Sequence, residues 1–160
     1  MQFLEHPEHH KTDLIIILKD DDIKKFSAFC KKNKLDADEY EIKKAFKERS
    51  HVTIFDIDST YRIDIKGVYS ELDKITFSRR KKIKFRDFEM WVNTAEDAIL
   101  AKLVYGGYQD INDVKSIILR RGKKIDFDYL KKQAKHFGVL ELLESLSYLF
   151  NSKLYILGLF

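Results

Sequence analysis

The stretch from His51 to Gly67, "HVTIFDIDSTYRIDIKG", carries the change of period that decides the fold. Upstream of Ser50 the apolar residues recur at helical spacing; from Val52 onward they alternate with polar ones. Val52, Ile54 and Asp56 fall on one side of a strand, and Thr53, Phe55 and Ile57 on the other. Asp58, Ser59 and Thr60 supply a turn, after which Tyr61, Ile63 and Ile65 alternate with Arg62, Asp64 and Lys66. The stretch reads as a β-hairpin ending at Gly67.

On its N-terminal side, the continuous run Leu14 to Leu18 is β-branched at its centre, which predicts a short strand buried on both faces. Asp20, Asp21 and Asp22 then suit a helix start. Ile23, Phe26, Phe29 and Cys30 supply the stripe of that helix, which fades near Asn33. A second helix is expected from about Asp38 to Arg49 on Tyr40, Ile42, Ala45 and Phe46. On the C-terminal side a charged connector leads to a second hairpin, Ile83 to Phe85 and Phe88 to Val92, with Arg86 and Asp87 at its bend. From Thr94 the pattern is helical. Gly106-Gly107, Gly122 and Gly138 are the stops, Asp110 is a cap, and Leu140, Leu143, Leu146 and Leu149 form the last stripe. Strands with two helices followed by four helices in series indicate an α+β fold: a mixed β-sheet core over about 11–92 and a helical lobe over about 94–150. No repeat or linker divides the chain, so one domain, 1–160, is expected.

The 160 residues are 44% hydrophobic and 35% charged, enough apolar content for a real core and too much for disorder. No apolar run approaches the ~18 residues of a membrane span. A single Cys, Cys30, allows no internal bridge, and the first apolar run is too short for a signal peptide. These features predict a cytoplasmic protein with no membrane partner. The dense opposite charges suggest a thermophilic source. A formal charge of +4 is mild for a dedicated nucleic-acid binder.

Three constellations could carry chemistry. Asp13 opens the first strand and Asp64 sits within the hairpin. Adjacent strands would bring the two carboxylates together to hold Mg²⁺, whereas a solvated Asp64 beside Arg62 and Lys66 is the plainer reading. Lys102, in the helix after Thr94, either snorkels beside Ile99 and Leu103 or reaches a phosphate. The run Arg79, Arg80, Lys81, Lys82 and Lys84, with Phe77 and Phe85 interleaved, is either a solvated connector or a contact to a nucleic-acid backbone. His9 and His10 could add metal ligands but read as a solvated terminus. Nucleophilic triads, zinc spacings and phosphate-binding glycine loops are absent from the sequence.

The segment "VNTAEDAILAKL", Val92 to Leu103, resembles the pattern V-x-S/T-P-E-D-L-I-L-x-K-L of nucleotidyltransferase-fold proteins related to AbiEii-type toxins and to small uncharacterised nucleotidyltransferases. "TDLIIIL" is similar to that family's metal-pair strand, and "EIKKAFKERSHVTIFDIDSTYRIDIKG" to its helix, hairpin and third carboxylate. "DINDVKSIILRRGKKIDFDYLKKQAKHFGVLELLESL" is similar to its C-terminal helices. The resemblance implies catalytic and Mg²⁺-binding roles for Asp13 and Asp64, triphosphate contact by Lys102, and an NTP with an RNA or protein acceptor. It also implies an acid at the position of Lys11 and a Gly-Ser turn upstream of the metal pair; the twelve residues before Asp13 contain no Gly. Two functions follow as expectations. One is a divergent nucleotidyltransferase. The other is the same fold with a degenerate site, serving as an interaction or RNA-binding module in a defence or toxin–antitoxin setting; a dimer is one option for its oligomeric state.

Overall fold

The computed structural model describes residues 11–146. They are mixed α and β, with two small sheets. Two compact units divide between Lys74 and Ile75.

In the first unit β1 (Lys11–Ile15) is followed by α1 (Asp20–Lys32), β2 (Leu35–Asp36), α2 (Glu39–Lys47), β3 (His51–Asp56) and β4 (Arg62–Lys66). The strands form one sheet in the order β1-β4-β3-β2. β1 runs parallel to β4, and β3 is antiparallel to both β4 and β2. The period-2 pattern sorts the two faces. Ile54 and Ile65 are buried with Ile23, Cys30, Ala37 and Ile42 from the helical side, and Val52 and Ile63 pack against them. Asp38 caps α2 by accepting from the Glu41 N–H at 3.0 Å, satisfying one of the free donors of the first turn. α1 starts differently: Asp20, Asp21 and Asp22 lie in its first turn, where they complement the dipole, but no side chain caps it.

The apolar run Leu14 to Leu18 is not a strand buried on both faces. The strand comes earlier, at Lys11–Ile15, and among the described residues it has β4 as its single neighbour. With a partner on one side only, Leu14 is left exposed, while Ile16 and Leu18 pack on the core after the strand has ended. Phe29 and Tyr40, expected on the apolar stripes of α1 and α2, are also exposed.

α3 (Glu71–Arg79) contains the division between the units and occupies what reads in sequence as a charged connector. The second unit continues with β5 (Lys81–Phe85), β6 (Phe88–Val92), α4 (Ala95–Tyr105), α5 (Tyr108–Arg121), a short 3-10 turn (Gly122–Lys124) and α6 (Phe127–His136). The chain is helical again over 140–146. β5 and β6 form a separate two-stranded sheet, so the expected single mixed sheet over 11–92 is corrected to two, and the hairpin groups with the helices. α4 packs against α5 and α6, burying Ile99, Leu100 and Leu103 with Val114 and Leu130 in the same unit. Gly106 ends α4 at φ 68°, a left-handed geometry that suits glycine. Asp110 is not the cap of α5. Gly107 holds that position, and the Asp110 carboxylate accepts from the Gly107 N–H at 3.2 Å. The expected features at His9, His10 and Leu149 lie outside the described residues. No helix among the described residues is long and apolar enough to cross a membrane.

Candidate functional site

The face of the first sheet opposite its core is polar. Alternation along β1 puts Lys11 and Asp13 on that face, and register with β4 sets Asp13 directly beside Asp64. Asp64 in turn lies opposite Thr53 on β3. The structure therefore brings Asp13 and Asp64 side by side on neighbouring strands.

Between them sits a cation. Lys11 Nζ lies 3.1 Å from Asp13 Oδ1 and 2.8 Å from Asp64 Oδ2. Thr53 Oγ1 donates to the other oxygen of Asp64 at 2.7 Å. Asp64 is the sheltered member, its side chain 15% exposed against 75% for Asp13. Burial pushes the Asp64 carboxyl up, but the hydrogen bonds from Lys11 and Thr53 outweigh burial and hold it below the usual range. The bond to Asp64 raises the Lys11 ammonium, against the opposing pull of burial. Both groups are thus fixed in their charged forms.

This donor set does not fit Mg²⁺. The ion asks for near-octahedral oxygen ligands at about 2.0–2.1 Å, usually one or two carboxylates completed by waters and phosphates. Here one oxygen of each carboxylate faces an ammonium and a third is bonded to a hydroxyl. A divalent ion between Asp13 and Asp64 would meet the Lys11 charge at close range, where like charges repel by several kcal/mol at an effective dielectric of about 20. Among the described residues no group of three His, Cys, Asp or Glu side chains converges anywhere.

Lys102 is held elsewhere. Its Nζ pairs with Asp113 at 2.6 Å and Asp110 at 3.3 Å, both on α5, and so ties α4 to α5. Burial lowers this ammonium, and the bonds to Asp113 and Asp110 outweigh that and raise it.

The basic run divides by role. Arg79 turns onto Asp97, its Nε 3.1 Å from Oδ2, with its guanidinium carbon 3.7 Å from the Tyr129 ring centroid. Arg80 stacks between Phe77 and Trp91, at 3.8 and 4.7 Å from the ring centroids. Lys82 pairs with Glu89 across the hairpin, while Lys81 and Lys84 are exposed.

Among the described residues of the second unit, one buried acid in the first turn of α4 gathers several polar partners. Asp97 is fully buried and accepts from Arg79, from Thr94 Oγ1 at 2.8 Å and from the Tyr129 hydroxyl at 2.7 Å. Burial, followed by the bond to Asp97, pushes the Tyr129 phenol up to about 12. Beside it, Glu96 accepts from the Asp126 N–H at 3.0 Å, just ahead of α6. The Thr94 to Asp97 spacing announces a local cap, but Arg79 and Tyr129 lie 18 and 32 positions from Asp97 and nothing local reveals them. The "TAED" segment thus fastens α4 to the end of α3 and the start of α6. Comparison with family models, with curated proteins and with solved structures returns no match.

Proposed function

We propose that this chain is a nucleotidyltransferase-like protein with a degenerate site, acting as a binding module rather than transferring nucleotides. One observation carries the reading. Lys11 lies where the motif resemblance calls for an acid, and its ammonium bridges the two carboxylates that would otherwise receive the metal. Nucleotidyl transfer depends on positioning and on neutralising phosphate charge. A lysine bridge removes both carboxylates from that task. Lys102 is likewise engaged by two acids of its own unit rather than presented alone.

The second reading is an active enzyme, with Asp13 and Asp64 on Mg²⁺ and Lys102 on an NTP. The in-register placement of the two acids favours it. Calorimetry with MgATP and MgCTP separates the two. The degenerate site gives no saturable heat in the wild type, whereas Lys11→Asp, which sets three acids on one sheet face, gains Mg²⁺ binding. Saturable MgNTP binding by the wild type that Asp64→Asn abolishes would establish the enzyme instead.

A further inference from the structure

Residues 81–92 hold four cations, Lys81, Lys82, Lys84 and Arg86, against two acids, Asp87 and Glu89. The resulting +2 is half of the formal +4 of the entire chain. This segment is the β5–β6 ribbon. Every residue from Lys81 to Trp91 is exposed, and among the described residues no further strand joins the pair.

Register distributes the side chains. Ile83 pairs with Met90 and Phe85 with Phe88 on one face; Lys82 pairs with Trp91 and Lys84 with Glu89 on the other. Three large rings are therefore presented to solvent at about half exposure, Phe85 at 50% and Phe88 at 53% on the first face and Trp91 at 56% on the second. Phe85 and Phe88 stand edge to face, 5.6 Å apart. Exposed rings on both faces of a ribbon call for a partner that can reach both. The cations interleaved with the rings decide which. A second copy would set a net +2 against a net +2, and burying unpaired charge costs several kcal/mol. A duplex would engage the cations and leave the rings unused. A single strand uses both, stacking bases on aromatic rings while its phosphates meet the cations.

We propose that a single-stranded nucleic acid wraps the β5–β6 ribbon, stacking bases on Phe85 and Phe88 on one face and on Trp91 on the other, with phosphates on Lys81, Lys84 and Arg86. The inference gives a partner to the binding role proposed above but rests on different residues. Calorimetry of MgNTP reads the sheet and Asp64, so either proposal can fail alone.

Trp91 is the chain's only tryptophan, so its fluorescence reports on the ribbon directly. Titration of the full chain with a short oligoadenylate is expected to quench it saturably. Affinity, followed by anisotropy of labelled RNA, is expected to fall at least about tenfold in Lys84→Glu/Arg86→Glu and in Phe85→Ser/Phe88→Ser. Lys131→Glu/Lys132→Glu, on the exposed side of α6, should bind as the wild type does. Circular dichroism verifies that each variant is folded. Tighter binding of a matched duplex, binding without quenching, or equal loss in the α6 variant would overturn the proposal. So would a wild type that ignores RNA, including one that instead self-associates with a blue shift of Trp91 emission, which would mark a second copy as the occupant.

Discussion

Lys11 and Asp64 form a pair whose strength can be read through acid titration. The folded-state carboxyl of Asp64 lies below its ordinary value of 3.8, so the unfolded chain takes up the proton first as pH falls. Its contribution is therefore fully present above that value and disappears as pH drops through the folded one. With the Lys11 side chain 38% exposed, solvent screening keeps the pair toward the weak end of the range. Asp64→Asn is expected to cost about 1 kcal/mol near pH 7, with the gap to wild type closing in acid. Urea unfolding of both proteins at neutral pH and at about pH 3 checks this; a constant gap would mean that the carboxylate charge contributes nothing. At this scale the sequence is informative where period 2 applies. Alternation alone sets Asp64 on the face away from Ile63 and Ile65. It cannot show that Lys11 of β1 reaches across to Asp64 of β4, nor that Asp110 and Asp113 engage Lys102, because ion-pair partners on other elements leave no local pattern.

Elements end where side chains require it, and the exit from β4 shows how. Gly67 is buried directly after the strand, and a Cβ there would lie 2.5 Å from Tyr69 Cε1. The Tyr69 ring has little freedom to move aside: it packs edge-on against Phe46, at 6.3 Å between centroids, and lies under the Arg49 guanidinium. Its backbone N–H donates to Asp73 at 3.1 Å, and Lys66 holds the same carboxylate at 2.7 Å. Gly67→Ala is therefore expected to cost about 1–3 kcal/mol, the usual range for overpacking. A lower urea midpoint at unchanged slope would show this, and an unchanged midpoint would mean the ring swings clear. Helices with a clear stripe and a cap or glycine stop, such as α2 and α4, are legible before any coordinates. β2 is two residues long, too short for any periodicity to register. α3 escapes for another reason: its buried side chains include Asp73 and Thr76 beside Leu72, so hydropathy shows no apolar face. The run Leu14 to Leu18 misleads because continuous apolar character signals burial without saying whether strand or connector is buried.

For the molecule as a whole, the distribution of charge says more than its total. The formal +4 reads as mild because 26 acids offset 30 basic residues, yet +2 of it lies on an exposed ribbon that also presents three aromatic rings. Composition is blind to that concentration, whereas the hairpin register displays it. A polyanion should therefore respond to where charge is removed and not simply to how much. Lys84→Glu/Arg86→Glu and Lys131→Glu/Lys132→Glu both bring the formal charge to zero. Only the first pair dismantles the ribbon, so only it should elute from immobilised heparin at clearly lower salt, with the α6 pair close to wild type. Three phosphate contacts also imply that log K for a single strand falls with log salt at a slope of about −2, and that the ribbon variant loses most of that slope. Equal losses of retention in the two variants would show net charge to be governing attraction, and the ribbon would then have no privileged role.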